Sequence, residues 1–152
     1  MRKSKFTDLI LFIVTAELVG AVSALIAGDF SAFYAEISQP PLAPPAWVFP
    51  VVWGVLYALM GISAFLVFSS GRTATLKIYI FQLMVNFLWS IIFFRCRLLT
   101  LSAVVAVLLM VLVGIMIKKF SEVSKISAVL NVPYLLWSAF ASYLAIAICI
   151  IN

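Results

Sequence analysis

Apolar residues run along this chain in long blocks that short polar segments separate. Five blocks are each close to the roughly 20 residues that a helix needs to cross the hydrocarbon core of a bilayer. They cover residues 9–27, 47–68, 76–94, 98–117 and 126–151. The pattern predicts an all-α integral membrane protein, a bundle of five transmembrane helices that forms a single domain over residues 1–152.

Composition supports the membrane assignment and excludes several other classes of protein. Charged residues make up 10% of the chain and hydrophobic residues 66%, whereas about 25% of an ordinary soluble domain is charged. The net charge of +5 is spread too thinly to indicate a nucleic-acid partner. The chain has no histidine, and Cys96 and Cys149 lack metal-ligand spacing. We therefore expect no metal site and no resident cofactor.

The basic residues predict how the helices are oriented, because basic loops prefer the cytoplasmic side. Eight of them fall on the side of the N-terminus and of the second and fourth loops: Arg2, Lys3, Lys5, Arg72, Lys77, Lys118, Lys119 and Lys125. The opposite side has only Arg95 and Arg97. We expect a multi-pass protein of the cell membrane with a cytoplasmic N-terminus, and with the C-terminus and the first loop outside.

The first predicted helix carries a stripe of small residues, Ala16, Gly20, Ala24 and Gly28, at four-residue spacing. Such a stripe lets two membrane helices approach closely, either within one bundle or across a dimer interface. Glu17 lies on the same helix near the middle of the membrane, where a carboxylate costs about 2.5–3.5 kcal/mol on insertion scales. It should face the bundle or be protonated.

The first loop, residues 28–46, is predicted to cover one end of the bundle as a lid. It contains FSAFYAEI, which could form a short amphipathic helix, and then four prolines at positions 40, 41, 44 and 45. Prolines stiffen this part of the chain and delay the second helix. Trp47 fits an interfacial anchor. Trp53 lies roughly 9 Å deeper, so it faces lipid, a neighbouring helix or a cavity.

Two later helices carry further polar and aromatic groups. On the third, Gln82, Asn86 and Trp89 share one face, which should point inward because amides in hydrocarbon require partners. On the fifth, Pro133 should kink the helix or loosen a turn, and Trp137 shares a face with small residues. Trp53, Asn86, Trp89 and Trp137 thus lie at similar depth on three helices. They could line a small-molecule pocket, or they could be packing and anchoring groups.

Three segments of the chain resemble the tryptophan-rich sensory protein and translocator protein family, TspO/MBR. Residues 40–61 follow the pattern PPxxPPxWxFxxVWxxLYxxMG. The other two segments contain Gln82, Asn86 and Trp89 with Phe93 and Phe94, and Pro133 and Tyr134 with Trp137, Phe140 and Ala141. The segments occur in the family order and span most of the chain.

The resemblance implies a membrane receptor or sensor that binds tetrapyrroles such as protoporphyrin IX, and benzodiazepine- or isoquinoline-type ligands, under the first loop. Carried onto matching positions, the pocket comprises Tyr34, Pro44, Trp53, Asn86, Ser90, Trp137 and Ala141; the shared helix face adds Trp89. The resemblance also implies light- and oxygen-dependent porphyrin degradation, with Trp53 and Trp137 as the catalytic residues and porphyrin as ligand or substrate. An alternative is a transporter of porphyrins or similar hydrophobic molecules.

Two departures from the family pattern limit what the resemblance implies. Leu144 and Ala145 stand where the family often has Leu-Asn, so a polar contact could be missing. No basic residue follows Leu144, so the proposed cholesterol motif is absent at this end and no specific sterol site is expected. The expected partners are a flat hydrophobic ligand, membrane lipid and a second copy of the chain in a homodimer.

Overall fold

The computed structural model describes residues 2–152, with side chains from residue 4 onward. The secondary structure of the described residues is entirely helical. The α-helices are α1 (Arg2–Ala27), α2 (Phe30–Glu36), α3 (Val48–Ser69), α4 (Leu76–Ser90), α5 (Leu99–Ser121), α6 (Lys125–Val129) and α7 (Val132–Ile151). A 3-10 turn, Thr73–Thr75, precedes α4, and a π turn, Ile91–Arg95, extends it.

The five predicted membrane-spanning helices are all present. Within the described residues, the segments long and apolar enough to cross a membrane are Ser4–Ala27, Val48–Ser69, Thr73–Arg95, Leu99–Ser121 and Lys125–Ile151. The all-α class of a five-helix membrane bundle is therefore confirmed. Successive spans run in opposite directions, so α2 and the C-terminus lie together at one end, which we call the lid end.

The third span does not finish as an α-helix, although the sequence predicted one helix over residues 76–94. At Ile91–Arg95 the hydrogen bonding widens to a π turn, and the Cys96 N–H donates to the Ile91 carbonyl over 2.9 Å. Inside this turn the rings of Phe93 and Phe94 pack edge to face, with centroids 4.7 Å apart. The wider turn carries both aromatic side chains beneath the lid.

The fifth span is interrupted at Leu130 and Asn131, where the sequence predicted one helix over residues 126–151 with a kink or a loosened turn caused by Pro133. Helix α6 ends at Val129, and α7 begins at Val132. Pro133 lies in the first turn of α7, where its missing N–H costs little. The break therefore falls before the proline and not at it.

A buried polar cluster stabilises this interruption. The Asn131 amide donates to the Ser63 hydroxyl over 2.6 Å and to the Ser127 carbonyl over 3.0 Å. Ser63 and Ser127 also donate to each other's carbonyl oxygens, both over 2.8 Å. Backbone groups inside a membrane must find hydrogen-bond partners within the protein. Here the side chains of Ser63 and Asn131 supply donors to the Ser127 carbonyl, next to the break in the helix.

Helices α1 and α3 pack with unusually close backbones. A Cβ atom added to Gly61 would lie 2.6 Å from the Ile13 Cα. A Cβ atom on Gly20 would lie 2.3 Å from the ring of Tyr57, and Ala16 is fully buried. The Ala16 and Gly20 half of the small-residue stripe thus packs inside one bundle, which resolves that half of the alternative left open above.

The lid closes on itself through its own side chains. Asp29 caps α2, because its carboxylate accepts a hydrogen bond from the Ala32 N–H over 3.1 Å. The Tyr34 hydroxyl donates to the Pro44 carbonyl over 2.7 Å, and the Gln39 amide donates to the Tyr34 carbonyl. The short helix indicated by FSAFYAEI is therefore present as α2, and Tyr34 joins it to the proline segment.

Polar contacts from the turn before α5, from α7 and from Asn152 after α7 fasten the lid to the bundle. They are an ion pair of 3.0 Å between Arg97 and Glu36, a hydrogen bond of 2.7 Å from the Tyr143 hydroxyl to the Pro41 carbonyl, and a pair of hydrogen bonds of 2.9 and 3.1 Å between Asn152 and the Ser38 backbone. All of these contacts are solvent-exposed, so each holds the lid with modest energy.

The α1–α3 contact predicts a position-specific cost of adding one methyl group. Gly61→Ala should destabilise the bundle by about 1–3 kcal/mol, because the added atom overpacks a backbone contact. Gly114→Ala is the matched control, since its added Cβ meets nothing within 4 Å. Thermal unfolding of both variants in detergent measures the difference. Equal stability of Gly61→Ala and Gly114→Ala would contradict the close α1–α3 approach.

Candidate functional site

A cavity of about 260 Å³ lies beneath α2, between α1, α3 and α4. It takes small residues from α1, the rim residues Asp29 and Ser31, and aromatic side chains from α2, α3, α4 and the π turn. Its lining residues are Gly20, Ala24, Ala27, Gly28, Asp29, Phe30, Ser31, Phe49, Pro50, Trp53, Tyr57, Trp89, Ser90 and Phe94. The cavity is mostly apolar and opens to the outside of the bundle.

The small residues of α1 create the space for this cavity. Gly20 and Ala24 form its wall on α1, and Ala27 and Gly28 continue that wall to the lid. Gly28 also has a φ of 88°, which lets the chain turn from α1 into the lid. The small-residue stripe therefore has two parts. Ala16 and Gly20 pack against α3, and from Gly20 onward the stripe also lines the cavity.

Aromatic rings form the opposite walls. Phe49 meets Phe30 and Tyr34 edge to face, with centroids 5.4 and 5.3 Å away. Trp53 lies deeper on the same helix and is tilted against Tyr57, with centroids 5.7 Å apart. Aromatic pairs in such geometries add stabilisation beyond the area that they bury. Together the rings give the cavity a largely aromatic wall.

Trp89 separates this cavity from two smaller voids in the bundle core. It lines the main cavity, a void of about 20 Å³ that includes Tyr34 and Ala141, and a void of about 10 Å³ that includes Trp53 and Ala141. Its indole N–H donates to the Ser102 carbonyl over 3.0 Å, and its ring stacks on Phe93 at an interplanar angle of 12°. Trp89 is consequently a fixed partition.

The predicted site residues fall into groups around this partition. Trp53, Trp89 and Ser90 line the main cavity, whereas Tyr34 and Ala141 line the smaller voids. Pro44 contributes its carbonyl to Tyr34. Asn86 and Trp137 line none of these spaces and lie behind their walls.

Asn86 belongs to a buried polar chain in the bundle core. Its amide nitrogen donates to the Tyr134 hydroxyl over 3.0 Å, and that hydroxyl donates to the Gln82 carbonyl oxygen over 2.7 Å. The interhelical hydrogen bonding anticipated for this face is therefore present. The Asn86 Oδ1 atom is buried and has no hydrogen-bond partner in the described structure, so one acceptor remains free.

Trp137 packs behind Phe49, with ring centroids 5.8 Å apart at an interplanar angle of 72°. Its indole Nε1 is buried and has no hydrogen-bond partner among the described residues. A buried polar group left unpaired costs about 1–3 kcal/mol. Trp137 thus presents an unused donor one ring away from the main cavity.

Several cavity residues were not singled out as site residues from the sequence. Phe49 and Phe94 belong to motifs quoted above but carry no polar group that would mark them as ligand contacts. Gly20 and Ala24 were interpreted as packing residues. The signal that could have identified them is the length of the small-residue stripe, which continues beyond the α1–α3 contact into the open half of α1.

The site contains few ionisable groups. Asp29 is the only carboxylate among the described lining residues, and it lies at the rim. Burial raises the pKa of the Tyr34 hydroxyl, so this group remains protonated as the donor to Pro44. Within the described residues there is no cluster of side chains suited to hold a metal ion. The arrangement suits binding of an apolar molecule more than acid–base chemistry.

Comparison with known proteins agrees with this architecture. The chain matches the TspO/MBR family over residues 10–151. It is 35% identical over 125 residues to the tryptophan-rich protein TspO of Chlorobaculum tepidum, and the aligned region covers 79% of each chain. It is 33% identical to the translocator protein of Ovis aries, covering 78% of this chain and 74% of that protein.

A further relative is the tryptophan-rich sensory protein of Cereibacter sphaeroides, which is 32% identical over 139 residues, covering 89% of this chain and 87% of that protein. The family match extends from the first span to the end of α7 and includes every helix that borders the cavity. The resemblance in the three sequence segments is thus part of a match over nearly the whole chain, and this membrane protein belongs to the TspO/MBR family.

Proposed function

We propose that this protein is a membrane receptor or sensor that binds a flat tetrapyrrole such as protoporphyrin IX in the cavity beneath α2. The observation that carries the proposal is the aromatic wall of that cavity, formed by Phe49, Trp53 and Trp89. Indole and phenyl faces stack on flat conjugated rings. Benzodiazepine- and isoquinoline-type molecules have the same flat apolar character and belong to the same proposed ligand class.

The cavity is small for the proposed ligand. Sites for drug-sized ligands have volumes of about 300–1,000 Å³, and the main cavity is about 260 Å³. The voids behind Phe49 and Trp89 add only about 20 and 10 Å³, so a tetrapyrrole also requires that cavity side chains move apart or that part of the ligand stays outside the cavity. Displacement of Phe49 would open the path towards Trp137.

Two of the three buried polar atoms that lack a hydrogen-bond partner among the described residues lie behind the cavity walls, and they support a ligand that reaches past Phe49. Asn86 Oδ1 is an acceptor without a donor, and Trp137 Nε1 is a donor without an acceptor. Buried groups of this kind are uncommon in proteins and call for an explanation. A ligand group that carries both a hydrogen-bond donor and an acceptor would satisfy the two atoms at once.

The distribution of charge supports a cell-membrane orientation with the lid outside. Among the described side chains, the end opposite the lid carries Lys5, Arg72, Lys77, Lys118, Lys119 and Lys125, and the lid end carries Arg95 and Arg97. The side chains of Arg2 and Lys3, which also entered the prediction, lie outside the described part. Basic residues favour the cytoplasmic side. A homodimer remains part of the proposal.

A second candidate function, light-driven oxidation of the bound porphyrin, is favoured by Trp53. Its indole lies in the cavity wall, where an excited porphyrin and molecular oxygen would meet an oxidisable ring. Trp137, the other proposed catalytic residue, is separated from the cavity by Phe49. It would reach the porphyrin only after that ring moves.

Porphyrin binding is tested by replacing the cavity tryptophan. Trp53→Ala should weaken protoporphyrin IX binding about tenfold in the dark, because it removes a stacking surface. The change in porphyrin absorbance on titration measures the affinity without relying on tryptophan emission. Trp47→Phe is the control, since Trp47 is 67% exposed and does not line the cavity.

The outcomes of this titration are distinct. Saturable binding that weakens in Trp53→Ala and not in Trp47→Phe supports the cavity beneath α2. Saturable binding that is equally strong in both variants would move the ligand elsewhere on the protein. If the unaltered protein shows no saturable binding, the proposed function is wrong and the tryptophans act in packing and anchoring.

Photochemistry is tested with a gentler substitution at the same position. Trp53→Phe retains a stacking ring, so binding should largely survive while the oxidisable indole is lost. Under illumination in air, we expect porphyrin breakdown to slow at least several-fold in Trp53→Phe, with Trp137→Phe measured in parallel. Loss of porphyrin absorbance over time is the readout. Undiminished breakdown in both variants would exclude this role for the indoles.

A further inference from the structure

The side chain of Arg95 lies at the rim of the main cavity. Its Nη1 atom is 3.9 Å from the position that a Cβ atom on Gly28 would occupy, and Gly28 is a lining residue of that cavity. The preceding residue, Phe94, forms part of the aromatic wall. A guanidinium group therefore stands beside the entrance to an otherwise apolar cavity.

This guanidinium group has no partner in the described structure. Arg95 forms no ion pair and no side-chain hydrogen bond among the described residues. The other arginine at the lid end, Arg97, is paired with Glu36 and lies over the Phe33 ring at 4.9 Å. Arg97 fastens the lid, whereas Arg95 is free to contact a ligand.

The neighbouring carboxylate, Asp29, is not paired with Arg95 but caps a helix. Asp29 also lines the rim, but its carboxylate caps α2 by accepting the Ala32 N–H. No ion pair joins Asp29 to Arg95 among the described side chains. The rim thus presents five guanidinium N–H donors beside a carboxylate that is already hydrogen-bonded.

We infer that the ligand of this cavity carries a carboxylate at its edge, and that Arg95 binds this group while the flat body of the ligand enters between the aromatic walls. The inference rests on the proposed function and specifies its ligand class as anionic amphiphiles. Arginine fits a carboxylate with two parallel hydrogen bonds, and the location at the lid end allows the charge to stay near water. Arg95 would then fix which edge of the ligand faces outward.

The test compares an acid with its uncharged ester. Protoporphyrin IX and its dimethyl ester share the same ring but differ in the charge at one edge. Both would be titrated in the dark into full-length protein in zwitterionic detergent, with porphyrin absorbance as the readout. We expect Arg95→Gln to weaken binding of the acid about tenfold or more and to leave binding of the ester unchanged.

Arg72→Gln provides the matched control. Arg72 is exposed in the loop between α3 and α4, at the end opposite the lid, so its replacement removes the same charge at a distance. Neither ligand should bind differently to this variant. If Arg72→Gln weakens the acid as much as Arg95→Gln does, general electrostatic attraction explains the effect and the inference is overturned.

Asp29→Asn tests the sign of the charge that the rim selects. Asparagine caps helices as well as aspartate does, so α2 should persist while the negative charge is lost. Binding of the acid should strengthen and binding of the ester should not change. Weaker binding of the acid in Asp29→Asn would show that the rim does not select an anion.

The remaining outcomes separate this inference from the function on which it rests. If acid and ester both bind but Arg95→Gln weakens neither, or weakens both equally, Arg95 is an interfacial anchor or a packing residue only, and the proposed cavity stands. If neither compound binds to the unaltered protein, both the proposed function and the carboxylate site are rejected.

Discussion

Helix α3 can approach α1 closely only because position 61 has no side chain. A single added carbon would lie 2.6 Å from the Ile13 Cα, and in hydrocarbon such close packing is a main source of helix association. Four residues before Gly61, the ring of Tyr57 rests on Gly20 and extends the contact towards the lid. Beyond Gly20, α1 continues with small side chains that do not fill the space before α4. The cavity beneath α2 is a consequence of where this contact ends.

The second constraint is that a membrane interior gives polar groups no water to bind. The chain meets it at the interrupted fifth span, where Ser63, Ser127 and Asn131 bind one another and the local carbonyl groups. Gln82 and Tyr134 meet it in the bundle core. Three buried polar atoms have no hydrogen-bond partner among the described residues: Asn131 Oδ1 in the interrupted span itself, and Asn86 Oδ1 and Trp137 Nε1 just behind the cavity walls. An unpaired polar atom in the protein interior costs more free energy than one at a water-exposed surface.

The sequence predicted the five spans well because hydropathy reports directly on burial in lipid, and the FSAFYAEI segment and the four prolines made the lid recognisable. The sequence was less informative about which way each side chain points around its helix axis. Trp53 and Asn86 have similar depth, yet Trp53 lines the cavity and Asn86 does not, because small rotations decide which wall a side chain joins. A disturbed turn at Pro133 was foreseen because a proline is visible in the sequence, but the full interruption at Leu130 and Asn131 was not, because a cluster formed by residues 64 positions apart is not visible there.

Phe49 and Trp89 together divide the space beneath the lid, but they are held differently. Trp89 is anchored by its hydrogen bond to Ser102 and by stacking on Phe93, so moving it breaks a buried polar contact. The Phe49 side chain is held by ring contacts with Phe30, Tyr34 and Trp137 and by apolar packing, without a hydrogen bond of its own, and Phe49 lies in the first turn of α3, directly after the lid. The lid itself is fastened by exposed bonds that contribute little energy each. Phe49 is therefore the wall whose displacement costs least, and its movement would join the cavity to the unpaired donor of Trp137.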